Sequence, residues 1–357
     1  MLVNGEHYQS IWRDPKTREI FVIDQRWLPH EFITPVMNST NDVMLAIRDM
    51  WVRGAPLIGV TAAYGMAIAM AEDPSDSNLK KAGQLLNSAR PTAVNLSWAV
   101  SKMQRMLVPI KANKRANVAI KLADQLAEED VKTNMAIGNH GAKLIADIAQ
   151  TKTHSEPVRI LTHCNAGWLA TVDWGTATAP IYEAQAQGID IEVWVDETRP
   201  RNQGAALTTW ELLHNHVPHT LIVDNAGGHL MQNGLIDICI VGSDRTTATG
   251  DVCNKIGTYL KALAAKDNSV PFYAALPKST IDLTLSDGVR EIPIENRLEK
   301  EVTHIQGLDE NNEIVNVRLC AENVKALNPA FDVTPRHLIT GIITEDGVNR
   351  SDQLASN

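Results

Sequence analysis

The chain has 357 residues, 44% hydrophobic and 21% charged, proportions that exclude a disordered or fibrous protein and fit two packed domains. Lys and Arg number 33 against 42 Asp and Glu, and the net charge of −9 argues against gripping nucleic acid over the whole surface while leaving room for a local basic pocket. Four cysteines, Cys164, Cys239, Cys253 and Cys320, stand far apart with no C-x-x-C pair. Neither a zinc knuckle nor a disulfide framework is indicated, and a reduced, cytoplasmic setting fits best.

The first 18 residues are polar, with Glu6, Arg13 and Asp14 and no apolar run of the kind that marks a secretory signal. Short alternating apolar runs in the first 35 residues, 19–24 among them, predict a small antiparallel sheet. From residue 41 to about 70 the pattern is helical, broken at Arg53-Gly54-Ala55-Pro56. Pro56 suits the first turn of a new helix, where its missing N–H costs nothing. Residues 54–71 carry no charge and reach the lower edge of a membrane-spanning length, yet Ala and Gly dominate over Leu, Ile and Phe. A helix buried among other elements is the prediction, and no membrane association. Helical pattern continues over 80–106, interrupted at Arg90-Pro91, and again over 117–149. The domains are placed at 1–130, mostly helical with the small sheet, and 131–357, with the boundary near Asp130.

After Ser155 the character changes. Apolar runs at 158–162, 189–195, 220–223, 236–241 and 271–276 alternate with helical segments, which predicts an α/β domain with a mainly parallel sheet and helices on both faces. Polar side chains follow each run: His163-Cys164-Asn165, Asp196-Glu197-Thr198-Arg199, Asp224-Asn225, Gly242-Ser243-Asp244-Arg245 and Pro277-Lys278-Ser279. They collect at the carboxyl ends of the strands, where open α/β sheets bind ligands. The tail, 328–346, reads as a loop and then a helix, with Thr334 as N-cap and Pro335 as first helical residue.

No G-x-G-x-x-G follows the first strand of this domain, and neither G-x-x-x-x-G-K-[ST] nor G-x-S-x-G is present, which removes support for nicotinamide, ATP and serine-hydrolase chemistry. Anion sites are better represented. Arg53 stands beside a glycine turn at a helix start, where N–H groups and the helix dipole favour phosphate, and Asn254-Lys255-Ile256-Gly257 is a similar arrangement. Arg90 precedes a proline, so its backbone is extended. Any one of these alone reads as a surface charge or cap; together they point to a phosphorylated small molecule. Cys164, between a strand and an expected helix, is either a thiol with a lowered pKa or packing filler, and residue type alone favours filler. Asp244 is an acid or base, or a loop carboxylate paired with Arg245, and those readings are even. Cys239 and Cys253 read as packing. His214, His216 and His219 invite a metal, but with no carboxylate or cysteine at ligand spacing a solvated helix end is the better reading. Trp168, Trp174, Trp194 and Trp210 are assigned to the core.

Taken together, residues 160–167 (ILTHCNAG), 196–201 (DETRPR) with Gln203-Gly204, 241–245 (VGSDR) and 250–257 (GDVCNKIG) make the chain similar to the methylthioribose-1-phosphate isomerase family. Residues 53–59 (RGAPLIG), 90–96 (RPTAVNL) and 328–335 (NPAFDVTP) extend the likeness almost end to end. The resemblance implies a cofactor-free aldose–ketose isomerase of methionine salvage acting on 5-methylthioribose 1-phosphate. It also implies a Rossmann-like C-terminal domain and a homodimer. By the same resemblance Asp244 is the proton donor, Cys164 stabilises the transition state, and Arg53, Gly54, Ala55, Arg90, Gln203, Asn254 and Lys255 bind substrate. A phosphate on C1 blocks spontaneous ring opening, so an acid must protonate the ring oxygen, and burial is expected to raise the pKa of Asp244. The competing expectations are 5-deoxyribose 1-phosphate or ribose 1,5-bisphosphate as substrate, and a non-catalytic regulatory role like that of the translation initiation factor 2B subunits. No basic cluster for a second phosphate is identifiable in the sequence.

Overall fold

The computed structural model describes residues 1–90, 93–153 and 156–350. Pro91 and Thr92 of the Arg90 motif, and Ser155, lie outside the described residues.

Two short hairpins open the chain, β1 (Leu2–Val3) with β2 (Glu6–His7) and β3 (Ile11–Arg13) with β4 (Ile20–Val22). Helix α1 (Thr40–Arg48) begins at a capping box: the Ser39 hydroxyl accepts from Asp42 N–H while the Asp42 carboxylate accepts from Ser39 N–H. Helix α2 (Ala55–Glu72) is apolar on all sides because it is enclosed by α1, α3 (Asp76–Ala89), α4 (Val94–Leu107) and α5 (Ala112–Thr151). It is the one helix among the described residues long and apolar enough to cross a membrane, and 72% of it is buried inside the protein.

Helix α5 is 40 residues long, and position 130 falls inside it. Its first half gives Ala119, Ala123 and Leu126 to a core built on α1–α4, and its second half gives Ile137, Ala142 and Ile145 to a core built on the large sheet. The two hydrophobic cores therefore change over along one rigid rod instead of a linker. We propose the division 1–130 and 131–357 at that change; Val3, Ile23 and Leu28 nonetheless pack with the second core.

The second half of the chain runs β5 (Val158–Thr162), α6 (Ala179–Ala186), β6 (Ile191–Asp196), α7 (Thr209–His214), β7 (His219–Ile222), α8 (Ala226–Gln232) and β8 (Ile238–Val241). It continues through β9 (Arg245–Thr247), β10 (Val252–Lys255), α9 (Thr258–Asp267), β11 (Phe272–Ala275), β12 (Ile281–Asp282), an exposed hairpin of β13 (His304–Leu308) and β14 (Ile314–Arg318), then β15 (Phe331–Thr334), β16 (Gly341–Thr344) and β17 (Gly347–Asn349). The main sheet has the order β17-β16-β11-β8-β5-β6-β7, parallel except for β17. All five sequence-predicted strands are in it. Strands β6 and β7 extend the sheet to one side of β5, and β8, β11 and β16 extend it to the other, so the winding reverses between β5 and β8. That switch point opens a crevice at the carboxyl ends of the two strands.

A second, four-stranded sheet, β12-β9-β10-β15, stands beyond the end of β8 and is absent from the sequence-based expectation. Its presence corrects the tail. Thr334 ends a strand paired with Val252, and Pro335 precedes only a 3₁₀ turn, Arg336–Leu338. The run that follows, Ile342 and Ile343, is β-branched and fully buried, and it enters the main sheet beside β11 where a helix was expected.

Candidate active site

Cys164 follows β5 and Asp244 follows β8, so the two strands flanking the switch point place a thiol and a carboxyl in the same crevice. The crevice they share is partly open to solvent. All nine residues singled out from sequence line it: Arg53, Gly54, Ala55, Arg90, Cys164, Gln203, Asp244, Asn254 and Lys255. Asn165 and Ser243, from the polar stretches after the strands, also line it, as do Phe331 and Arg297, the last of which the sequence did not single out.

The helical half of the chain contributes one wall, which carries Arg53 and Arg90. Gly54 is the N-cap of α2 with φ +89°, and no side chain caps that end. A Cβ at Gly54 would lie 2.3 Å from the Ala170 carbonyl oxygen, so only glycine lets this turn press against the loop after β5. Arg53, 7% exposed, donates from one guanidinium nitrogen to Asn165 Oδ1 and, at 3.4 Å, to the Asn165 carbonyl. Its buried Nε has no acceptor among the described residues. Arg90 ends α3 and reaches Glu295 at 3.7 Å.

The second sheet contributes the other wall. Asn254 and Lys255 end β10, held between β9 and β15. The Lys255 ammonium lies 4.6 Å from the centre of the Phe331 ring, and Asn254 donates to Thr258 at 3.1 Å. Burial lowers the pKa of Lys255, opposed by the nearby Cys164 and Asp244. Gln203 opens the helical turn at Gly204–Thr208 and is 5% exposed, with its side-chain oxygen unpartnered among the described residues. Arg297 is braced by Glu295 and Glu301, both at 2.8 Å.

Asp244 is the only acid lining this cavity among the described residues. Its side chain is partly open to the cavity and otherwise surrounded by protein, and burial raises its pKa above the ordinary value. Lys255, Arg90 and Arg53 pull the other way without cancelling the rise. Arg245 reaches toward Asp282 at 3.9 Å. Cys164 adopts φ +68°, with its N–H on the Thr198 hydroxyl at 2.9 Å and its carbonyl accepting from Thr208 at 2.7 Å. The expected helix after it is only a 3₁₀ turn, Trp168–Ala170, so no helix N-terminus depresses the thiol. Burial raises the Cys164 pKa instead, with Arg53 and Lys255 opposing, and the thiol keeps its proton in the unliganded site.

The His214 cluster forms no metal site: His214 packs edge-on against Trp210 at 4.4 Å, and His219 accompanies strand β7. Among the described residues one group has metal-ligand proximity, His163, Asp196 and Asp224. Lys261 Nζ sits 3.1 Å from Asp196, so an ammonium already answers that carboxylate. All four cysteines are free, as expected for packing at Cys239 and Cys253, which are buried.

These features define a doubly wound α/β protein with a cationic small-molecule crevice holding one buried acid of raised pKa and one thiol at its switch point. The profile of the Initiation factor 2 subunit family matches residues 51–351. The methylthioribose-1-phosphate isomerase of Brucella anthropi is 62% identical over 98% of this chain and 96% of its own length, and that of Sinorhizobium medicae is 60% identical over the same shares. Among solved structures, 5-methylthioribose 1-phosphate isomerase from Pyrococcus horikoshii OT3 superposes with a TM-score of 0.83 at 36% identity, covering 98% of this chain and 95% of that one. Translation initiation factor eIF-2B, subunit delta, from A. fulgidus gives 0.79 at 37% identity, covering 96% of each. The chain belongs to the Initiation factor 2 subunit family, within its methylthioribose-1-phosphate isomerase branch.

Gly54→Ala should weaken binding of inorganic phosphate about tenfold, because the added methyl group must push the Arg53 turn off Ala170. Calorimetric titration of the wild type and the variant measures this; equal affinities would show that the turn yields without moving the arginine.

Proposed function

We propose that the protein converts 5-methylthioribose 1-phosphate to 5-methylthioribulose 1-phosphate in methionine salvage, with Asp244 and Cys164 at the reacting carbons. The observation that carries this reading is the convergence of a buried acid of raised pKa, a thiol and cations from both halves of the chain on one crevice. Arg53, Arg90 and the uncapped start of α2 suit the phosphate, with Gly54, Ala55, Gln203, Asn254 and Lys255 completing the substrate contacts. Asp244 donates its proton to the ring oxygen as the bond from C1 to that oxygen opens. Hydrogen then passes from C2 to C1 while the C2 hydroxyl loses a proton, which restores the Asp244 carboxyl, so the change is an isomerisation with no external oxidant.

Because the Cys164 thiol is protonated before substrate arrives, we favour transfer as a hydride, with Cys164 shaping an apolar, water-poor surround for it. Deuterium placed at C2 should then be retained at C1 of the product, and mass spectrometry reads this directly; exchange with solvent would assign Cys164 the role of base.

Asp244→Asn should lower kcat by on the order of 10²–10⁴-fold while leaving substrate binding nearly unchanged. The acid must be protonated to act and its pKa is raised, so wild-type kcat should fall as pH rises through that raised value. A coupled assay with 5-methylthioribose 1-phosphate, 5-deoxyribose 1-phosphate and ribose 1,5-bisphosphate tests both. Preference for either of the latter two would change the substrate, and ligand binding without turnover of any would favour a regulatory protein.

A homodimer is the assembly we propose. Leu221 and Val223 at the outer strand β7, and Leu260 on α9, are exposed apolar residues that a second copy would cover. Sedimentation equilibrium should give twice the 39.2 kDa chain mass; a single chain mass at micromolar concentration would refute it. Three buried cysteines and a fourth free one support a reduced, cytoplasmic setting.

A further inference from the structure

Glu211, on α7, is fully buried and does not line the cavity. Its carboxylate nevertheless accepts four hydrogen bonds. Oε1 takes Asn165 Nδ2 at 2.8 Å and Leu169 N–H at 2.9 Å; Oε2 takes Trp168 N–H and the Tyr182 hydroxyl, each at 3.2 Å. Burying such a group is costly, and burial raises its pKa to about 7 against the pull of Asn165, Leu169 N–H, Arg53 and Tyr182. Tyr182 on α6 and Arg53, the latter across Asn165, are the titratable side chains that face it.

What the carboxylate accomplishes is visible one residue further on. An asparagine amide is nearly symmetric in shape, so its neighbours decide which end is oxygen. Asn165 Nδ2 is claimed by Glu211 and by the Thr208 hydroxyl at 3.2 Å, which turns Oδ1 toward the Arg53 guanidinium. With Glu211 gone, only the Thr208 hydroxyl at 3.2 Å and the Arg53 guanidinium itself hold the amide, so Asn165 is free to shift and the arginine loses its fixed support. Gly167 serves the same arrangement: a Cβ there would lie 1.7 Å from Glu211 Oε2, so only glycine lets the loop close over the carboxylate.

We propose that Glu211 is a positioning residue for substrate binding, acting through the Asn165 amide to hold Arg53 in the anion-binding wall. The proposal deepens the isomerase reading and rests on it for the identity of the substrate.

The test measures KM and kcat for 5-methylthioribose 1-phosphate, and Kd for inorganic phosphate, on the full chain. Glu211→Ala should raise KM and the phosphate Kd about tenfold with kcat within about threefold of wild type. Glu211→Gln retains an oxygen for Asn165 Nδ2 and should return KM to within about threefold. Tyr182→Phe removes a Glu211 partner without touching Asn165, and should lower Tm while leaving KM unchanged. In an Arg53→Met background, Glu211→Ala should add less than about twofold, because its effect passes through the missing guanidinium. A Glu211→Ala protein that melts earlier with a wild-type KM, or an equal KM rise with and without Arg53, would overturn the proposal. If the alanine variant does not fold, Glu211→Asp withdraws the carboxylate by one methylene and should show the same KM rise; an unchanged KM there overturns it equally. Absence of wild-type turnover would defeat the isomerase reading alone, since the phosphate Kd still reports on Arg53.

Discussion

The site depends on a set of opposed charges confined in a poorly solvated crevice. Arg53 and Lys255 are pushed toward their neutral forms by burial, as are Asp244 and Cys164 from the acidic side. Groups of opposite charge pull each back toward its ionised form: Lys255, Arg90 and Arg53 favour an ionised Asp244, and Arg53 and Lys255 favour a thiolate at Cys164. Burial outweighs the cations for both acids, so the pKa values of the carboxyl and the thiol lie above their ordinary values beside a set of cations. An arriving phosphate dianion draws on the same cations, which weakens their pull on Asp244 and helps it stay an acid. The repulsion among Arg53, Arg90 and Lys255 is a destabilising feature of the folded chain, accepted where binding needs it.

Such a balance survives only if the charged groups cannot drift apart, and the fold supplies several ties across its parts. The Arg53 turn is pinned against Ala170 by the absence of a side chain at Gly54. His163, just before Cys164, lies 2.9 Å from Asp196 Oδ2 through one ring nitrogen and 2.9 Å from the Ile256 carbonyl through the other. It therefore links the end of β5 to its neighbour β6 and to the turn that follows Lys255, joining the two sheets that face each other across the crevice. Asp332 reinforces that turn by accepting from Gly257 N–H at 2.7 Å and Tyr259 N–H at 3.1 Å. Sites built from the ends of regular elements hold such distances better than sites built from long loops.

The parallel strands and their reactive edge were legible in the sequence for a simple reason. Strands buried on both faces read as unbroken apolar runs, and the polar residue after each run marks its carboxyl end. Arg53-Gly54-Ala55-Pro56 was legible because Pro at a helix start is a local preference that needs no tertiary information. The second sheet was not: β9 and β10 read Arg-Thr-Thr and Val-Cys-Asn-Lys, too short and polar for a periodic signal, and β15, which pairs with β10, lies about 80 residues away. The same long-range pairing turned the expected tail helix into strands. Cys164 was placed correctly at a strand end, but the environment that sets its pKa depends on a helix that does not form and on cations from distant segments. Glu211 carries no local mark of its role, since Thr-Trp-Glu-Leu-Leu-His reads as an ordinary helix with a surface carboxylate.

Architecture alone does not separate the isomerases of this family from its translation-factor members, because both superpose on nearly the whole chain. A crevice lined with cations does not separate them either, since a regulatory protein that senses a phosphorylated metabolite needs the same wall. On the proposed reading, Asp244 is the residue that argues for catalysis. In a protein that only binds, a carboxyl facing the phosphate-holding arginines gains nothing: ionised, it competes with the ligand for their charge, and neutral, it leaves a desolvated polar group to be satisfied. It becomes useful when the bound sugar must be opened at its ring oxygen, a step that requires a proton already in place at neutral pH. The raised pKa at the switch point between β5 and β8 runs in the direction the proposed step requires, and the surrounding cations oppose that rise without cancelling it.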